Sequence, residues 1–249
     1  MANAYKFPTE VVELPSKGYF YPEGHPLASG KVEVKYMTAK EEDILTSQNL
    51  IKQGVVIDKL LESLIVDKLI DIDDMLIGDK NAIMVSARIL GYGKDYEFTY
   101  DEVEHKVDLS KIEPIEIDFT KYTKGINEFT FELPSSKRSL TFKLLTGTDE
   151  KQISEEIKAR EKISKEQSFE LTTRLKQMIL SIDGNSIKAY INNFVDNEFL
   201  SRDSLAFRQH LSSITPDVDM TTKVVDSAGK ETVVSVPVTI RFFWPSAGI

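Results

Sequence analysis

The residues that could carry out catalysis are few and widely spaced. The chain has three histidines, His25, His105 and His210, and none belongs to HExxH or another spaced ligand pair. A histidine needs a positioned partner to act as a general base, and no GxSxG element supplies a serine nucleophile. We therefore expect ordinary surface or boundary histidines. A hydrolase with a site assembled from dispersed Ser, His and Asp residues remains an alternative.

Metal-binding and phosphate-binding patterns are also incomplete. The chain contains no cysteine, which excludes disulfides, thiolate zinc sites and a cysteine nucleophile. The acidic run at 67–79 fails as a calcium loop, because the fifth and sixth positions from Asp71 are Met75 and Leu76. The glycines of GYGK (91–94) are too close together for a phosphate loop. We predict no catalytic, cofactor or metal site, and interpret both segments as helix ends.

The composition predicts a folded, acidic protein. Its 249 residues are 41% hydrophobic, which is enough apolar material for one large domain or two small ones. The formal charge of −9 argues against nucleic-acid binding, which depends on a clustered basic surface. The first ten residues show no apolar signal core, and no stretch approaches the ~18 apolar residues of a membrane span. We expect a cytoplasmic protein with neither a nucleic-acid nor a membrane partner.

The elements that would position these residues alternate between strands, helices and ribbons. KVEVKYM (31–37) alternates as a strand does, and TAKE at 38–41 is a capping box that begins a helix. A later helix, N-capped by Asp79, is predicted to end at Gly91. Residues 94–118 then contain two short β-like runs around an acidic turn. They predict a β-hairpin or ribbon.

The same order of elements recurs in the second half of the chain. ELPS occurs at 13–16 and again at 132–135. VKYMTAKEED (34–43) aligns with FKLLTGTDEK (142–151), including the lysine and the threonine of the capping box. Apolar residues at helical spacing follow, among them Leu171, Leu175, Met178 and Ile182, which predict a helix, and a second hairpin is predicted at 222–240. The recurrence predicts an internal duplication.

These patterns predict an α+β fold with two related subdomains. Each subdomain would contain an opening β-strand and loop, a small helical bundle and a terminal β-hairpin or ribbon. The N-terminal subdomain would span 1–125 and the C-terminal subdomain 126–249, with a junction near 118–127.

Two aromatic clusters are candidates for partner binding. One lies in a loop rich in proline and glycine that the second copy of the repeat lacks, and the other ends what we interpret as a closing strand. Such rings either bury a large area in the core or form the centre of an interface. The six candidate partner-binding residues are Tyr19, Phe20, Tyr21, Phe242, Phe243 and Trp244.

Several motifs resemble those of a known phage family. ELPSKG at 13–18, YMTAKEEDILT at 36–46, ARILGYG at 87–93 with Tyr96, and FFWP at 242–245 look like the baseplate hub assembly proteins of T-even-type contractile-tail bacteriophages. The resemblance implies a non-enzymatic, chaperone-like factor that helps the central hub of the tail baseplate assemble in the host cytoplasm. Its partners would be other hub proteins. The alternative within this family is a permanent structural subunit of the hub.

The resemblance covers most of the chain and fails at one point. Relatives often carry Cys-x-x-Cys pairs in the ribbon, and this chain has none in either ribbon, at 96–109 or 222–240. We therefore expect apolar packing instead of zinc to hold the ribbons. The sequence does not identify the hub partner, the binding face, the stoichiometry or the oligomeric state.

Overall fold

The computed structural model describes residues 8–162 and 168–243, in which short strands alternate with helices. The first half contains β1 (Thr9–Glu13), β2 (Lys31–Lys35), α1 (Ala39–Thr46), α2 (Gln48–Gln53), α3 (Val56–Leu64), α4 (Ile77–Tyr92), β3 (Asp95–Tyr100) and β4 (Val103–Asp108). The second half contains β5 (Phe129–Glu132), β6 (Ser139–Phe142), α5 (Gly147–Glu161), α6 (Glu170–Met178), β7 (Ile179–Ile182), α7 (Lys188–Asn197), α8 (Ser201–Ile214), β8 (Thr221–Val225), β9 (Glu231–Ser235) and α9 (Ile240–Phe243). The predicted α+β class is confirmed.

Within these described ranges the strands form four small antiparallel sheets. β1 pairs with β2, β3 with β4 and β8 with β9, while β5, β6 and β7 form a three-stranded sheet. The turn between β3 and β4 holds Asp101 and Glu102 at φ of 47° and 64°, the left-handed region that two-residue hairpin turns use. The hairpins predicted at 94–118 and 222–240 are therefore present.

The capping box at the start of α1 contains a buried carboxylate. The Thr38 backbone N–H donates to Glu41 Oε2 at 2.9 Å, and Lys35 Nζ donates to Glu41 Oε1 at 2.8 Å. Ser63 Oγ, on α3, donates to the same Oε1 at 2.7 Å. Burial acts to raise the pKa of Glu41, but the hydrogen bonds from Lys35, Thr38 and Ser63 outweigh it and lower the pKa to about 2. Glu41 thus joins β2, α1 and α3.

The start of α5 repeats this arrangement. The Thr146 N–H donates to Asp149 Oδ2 at 3.0 Å, and Lys143 Nζ donates to Asp149 Oδ1 at 2.7 Å. Gln177 Nε2, on α6, donates to the same Oδ1 at 2.9 Å. A strand lysine and a neighbouring helix therefore hold the capping carboxylate in both halves. The sequence alignment of 34–43 with 142–151 predicts this correspondence.

The two halves share one hydrophobic core and exchange backbone hydrogen bonds. The Gly147 N–H donates to the Met75 carbonyl at 2.9 Å. A Cβ on Gly147 would lie 2.7 Å from the Ile72 carbonyl oxygen, so glycine is required at this close approach. The division into 1–125 and 126–249, and the duplication, stay predictions.

Two assignments in the second half are wrong. Residues 179–182 form β7 and not the end of a helix, because their backbone completes the sheet beside β6, with Ile182 opposite Leu140. Residues 240–243 form α9 and not a closing strand. Short apolar runs fit both a strand and a buried helix, so their position in the fold decides between the two.

Candidate partner-binding surface

The loop aromatics named as partner-binding candidates contact the protein's own core. Phe20 is 2% exposed and Tyr21 is 5% exposed. The Phe20 ring lies 5.1 Å from the Phe129 ring, and the half-buried Tyr19 donates its hydroxyl to the Tyr122 carbonyl at 2.9 Å. The sequence left packing and display of these rings open, and the structure shows that the loop folds inward so that they pack on the core. Partner contact through them stays a prediction.

Tyr21 belongs to a buried polar network centred on Asp79. Asp79 Oδ2 accepts from Tyr21 Oη at 2.6 Å and from Ser16 Oγ at 2.6 Å, while Oδ1 accepts from the Ser16 N–H at 2.9 Å. Tyr21 Oη in turn accepts from the Leu76 N–H at 2.9 Å. The sequence predicts Asp79 as the N-cap of α4, and this prediction is wrong. The helix begins at Ile77, and the Asp79 carboxylate turns toward Ser16.

Burial controls the protonation of this network. It raises the pKa of Asp79, while the hydrogen bonds from Ser16 and Tyr21 act in the opposite direction. Burial and the adjacent Asp79 carboxylate also raise the pKa of the Tyr21 phenol, so Tyr21 stays a hydrogen-bond donor. Because Ser16 follows shortly after β1, the network fixes the end of β1 against α4.

The C-terminal aromatics are also core residues. Phe242 and Phe243 are completely buried, and the Phe242 ring packs edge to face on Tyr96 at 4.9 Å. Tyr96 Oη donates to the Pro237 carbonyl at 3.1 Å, which connects α9 to the β3–β4 hairpin. Of the two alternatives for Phe242 and Phe243, the structure shows packing in the core, and partner contact through them stays a prediction. Trp244, the remaining candidate, lies outside the described residues.

The histidines do not converge on a catalytic centre. Each ring packs on a different aromatic partner: His25 on Tyr21 at 5.2 Å, His105 on Phe98 at 5.8 Å, and His210 on Phe131 at 4.6 Å. The nearest carboxylate oxygen of Asp74 is 3.8 Å from His25 Nε2, beyond hydrogen-bond distance. Burial lowers the pKa of His210. Among the described residues, no group of His, Asp and Glu side chains could hold a metal ion.

An open groove runs beside β1, with α4 as its floor. Its first part is a cavity of about 470 Å³ bounded by β1, α4 and the segment that follows β4. It is lined by Glu10, Val11, Val12, Glu13, Pro15, Ala82, Val85, Ser86, Ile89, Leu90, Leu109, Ser110, Ile112, Pro114 and Val218. Apolar side chains dominate this lining. The size is typical of a ligand or peptide site.

The cavity continues past Pro15 into a second cavity of about 720 Å³. Glu13, Pro15 and Pro114 line both cavities, so the two are adjacent, and together we call them the β1 groove. The second part is lined by Glu13, Leu14, Pro15, Lys17, Glu113, Pro114, Ile115, Glu116, Ile117 and Phe119.

The β1 groove is acidic at its rim. Glu10, Glu13, Glu113 and Glu116 are exposed along it, and among the residues that the structure describes Lys17 is the single basic one in the lining of the two cavities. This rim attracts basic groups and repels acidic ones. The groove floor, in contrast, is apolar. Together they favour a partner segment with both apolar and basic side chains.

Sequence reasoning does not find the β1 groove. Its walls come from β1, α4 and residues 109–118, which are far apart in the chain. One local signal is Val11, which is 57% exposed although it lies in a strand. A valine on the solvent side of a strand is common, so Val11 indicates a binding surface only once the structure places it beside the groove.

Comparison with known proteins shows which family the chain belongs to. Residues 8–244, nearly the whole chain, match the family model described as T4 bacteriophage base plate protein. The chain belongs to this family. The resemblance to T4-type baseplate proteins is confirmed, and the role in hub assembly stays a prediction. No curated protein and no solved structure matches the chain.

The helices of the described residues were compared with the length and hydropathy that a membrane span requires. None of them is both long enough and apolar enough to cross a membrane.

Proposed function

We propose that this baseplate protein is a chaperone-like assembly factor for the central hub, and that it acts by binding another hub protein in the host cytoplasm. The observation that carries the proposal is the β1 groove, an open channel with an apolar floor beside an exposed strand. Continuous apolar surface of this kind is typical of protein-binding sites.

The chemistry of the described residues favours binding over catalysis. The three histidines pack on separate aromatic rings, and none of them lines the β1 groove. A nucleophile and a base must lie within hydrogen-bond distance of each other beside the substrate. A hydrolase would therefore need a site elsewhere than the groove.

Co-expression with each hub protein tests the proposal. We expect one hub protein to elute with this chain as a complex in size-exclusion chromatography. We also expect hub assembly to stall in infected cells when the gene for this chain is disrupted. Normal elution of every hub protein, together with normal hubs in the disrupted infection, would refute the proposal.

Family membership also fits a permanent structural subunit of the hub. The two roles differ in retention, since an assembly factor leaves before the particle is complete. Mass spectrometry of purified virions separates them. We expect this chain to be absent, or far below the abundance of hub subunits, and a stoichiometric amount would favour the structural role.

A further inference from the structure

We propose that the free edge of β1 binds one extended segment of the hub partner as an added antiparallel strand. The segment would carry apolar residues at alternate positions and Lys or Arg between them. The identity of the partner rests on the proposed function, whereas the mode of binding rests on the geometry of the β1 groove.

The hydrogen bonds of β1 show which edge is free. The Tyr36 N–H donates to the Pro8 carbonyl, and the Leu14 N–H donates to the Gly30 carbonyl. In the same register, Glu10 and Val12 are the residues of β1 whose backbone groups hydrogen-bond to β2 between these two ends. The remaining residues, Thr9, Val11 and Glu13, therefore direct their N–H and C=O groups away from β2.

These outward groups lack partners within the described part of the chain. Among residues 8–162 and 168–243, no hydrogen bond involves the N–H or C=O of Thr9, Val11 or Glu13. The far edge of β2, in contrast, is covered, because the Val66 N–H donates to the Glu33 carbonyl at 3.0 Å. An unpaired strand edge is a template for another strand.

Among the described walls of the β1 groove, only β1 offers an edge for one more strand. A paired strand lies roughly 4.8 Å from its neighbour, and five residues extend about 17 Å. The opposite wall does not compete for pairing, since the Ile115 N–H already donates to the Asp217 carbonyl and the Asp219 N–H to the Glu113 carbonyl. The added strand therefore pairs with β1 alone.

The floor and the rim determine the chemistry of the segment. Alternate side chains of an added strand would point toward Ala82, Val85 and Ile89 on α4, which favour apolar residues. The remaining positions lie on the face of Val11 and Glu13, where the exposed Glu13 favours Lys or Arg. A second copy of β1 is disfavoured, because its segment Thr9–Glu13 contains two glutamates and no basic residue to match the acidic rim.

Val11→Pro tests the inference with little effect on folding. Proline removes the outward N–H, which has no partner in the described chain, and proline is tolerated on an edge strand. Val11→Thr is the matched control, because it keeps the N–H and suits a strand. The unfolding transition of both variants, followed by circular dichroism, must match that of the unchanged protein before binding is compared.

The probes are the intact hub proteins and a set of short overlapping peptides that covers their sequences. We expect Val11→Pro to weaken binding about tenfold or more, and Val11→Thr to leave it within about twofold. Glu10→Lys with Glu13→Lys should weaken binding and reduce its dependence on salt. The Val11 amide of the unchanged protein should become protected from hydrogen exchange in the complex.

The outcomes separate this inference from the proposed function. If a hub protein binds the Val11→Pro variant as tightly as the unchanged protein, the strand-addition inference is wrong and the proposed function stands. If neither a hub protein nor a peptide binds, both are wrong. A dimer of the unchanged protein that Val11→Pro dissociates would identify a second copy as the occupant and overturn the inference.

Discussion

Replacing Asp79 by alanine should destabilise the fold more than the same replacement of Asp203. Asp79 is fully buried and accepts three hydrogen bonds, two from Ser16 and one from Tyr21. Alanine leaves the buried Ser16 N–H and Tyr21 O–H without acceptors. Each unsatisfied buried donor costs about 1–3 kcal/mol, so we expect a loss of roughly 2–5 kcal/mol in the free energy of unfolding.

Asp203 provides the matched control for this prediction. It occupies the third position of α8 as Asp79 does in α4, and it accepts from the Ser135 and Ser136 N–H groups at 2.7 and 3.0 Å. Ser135 is exposed and Ser136 half-buried, so water replaces the lost acceptor more easily. We expect Asp203→Ala to cost roughly 1–2 kcal/mol.

Urea unfolding followed by far-ultraviolet circular dichroism measures both costs. The slope of the free energy against urea concentration should be unchanged, so the midpoints alone report the difference. An Asp79→Ala cost below about 1 kcal/mol, or one equal to that of Asp203→Ala, would show that the buried network does not hold the loop onto α4.

Four further substitutions test other contacts. Gly78→Ala should lower the free energy of unfolding by about 3 kcal/mol, because its Cβ would lie 1.9 Å from the fixed Pro216 carbonyl oxygen. Gly91→Ala meets only the flexible Met37 side chain, so it should change the free energy of unfolding in urea by under about 1 kcal/mol. The lowered pKa of Glu41 contributes stability that is complete above its unfolded value of 4.5 and is lost as the pH falls toward 2. Glu41→Gln should therefore flatten the acid limb of a plot of unfolding free energy against pH, and an unchanged limb would contradict this assignment. Ser227→Ala removes an exposed contact between hairpin tips and should change the free energy of unfolding by less than about 0.5 kcal/mol, so a larger change would show that the tips are coupled.

Local chemistry made parts of this fold predictable from sequence. Each capping box, beginning at Thr38 or Thr146, spans only four consecutive residues. Turn residues likewise marked both terminal hairpins. Asp79 could not be interpreted in this way, because its partner Ser16 is 63 residues away in the chain. The β7 strand was missed because its apolar run becomes a strand only when β6 lies beside it.

The candidate site was less predictable than the fold. Sequence patterns identified Phe20 and Phe242 as large rings but could not decide whether they face solvent or the core. Both lie in the core, where they contact Phe129 and Tyr96. The β1 groove depends on three distant segments and on the direction of unpaired backbone groups, which side-chain types do not encode.

Hub assembly in infected cells is the most direct test of the central claim. Cells infected with phage whose gene for this chain is disrupted should be compared with normally infected cells by sedimentation of the hub proteins. We predict that the hub proteins remain as unassembled species without this chain, and that supplying the chain from a plasmid restores the assembled hub. Assembled hubs at normal yield in its absence would contradict the account.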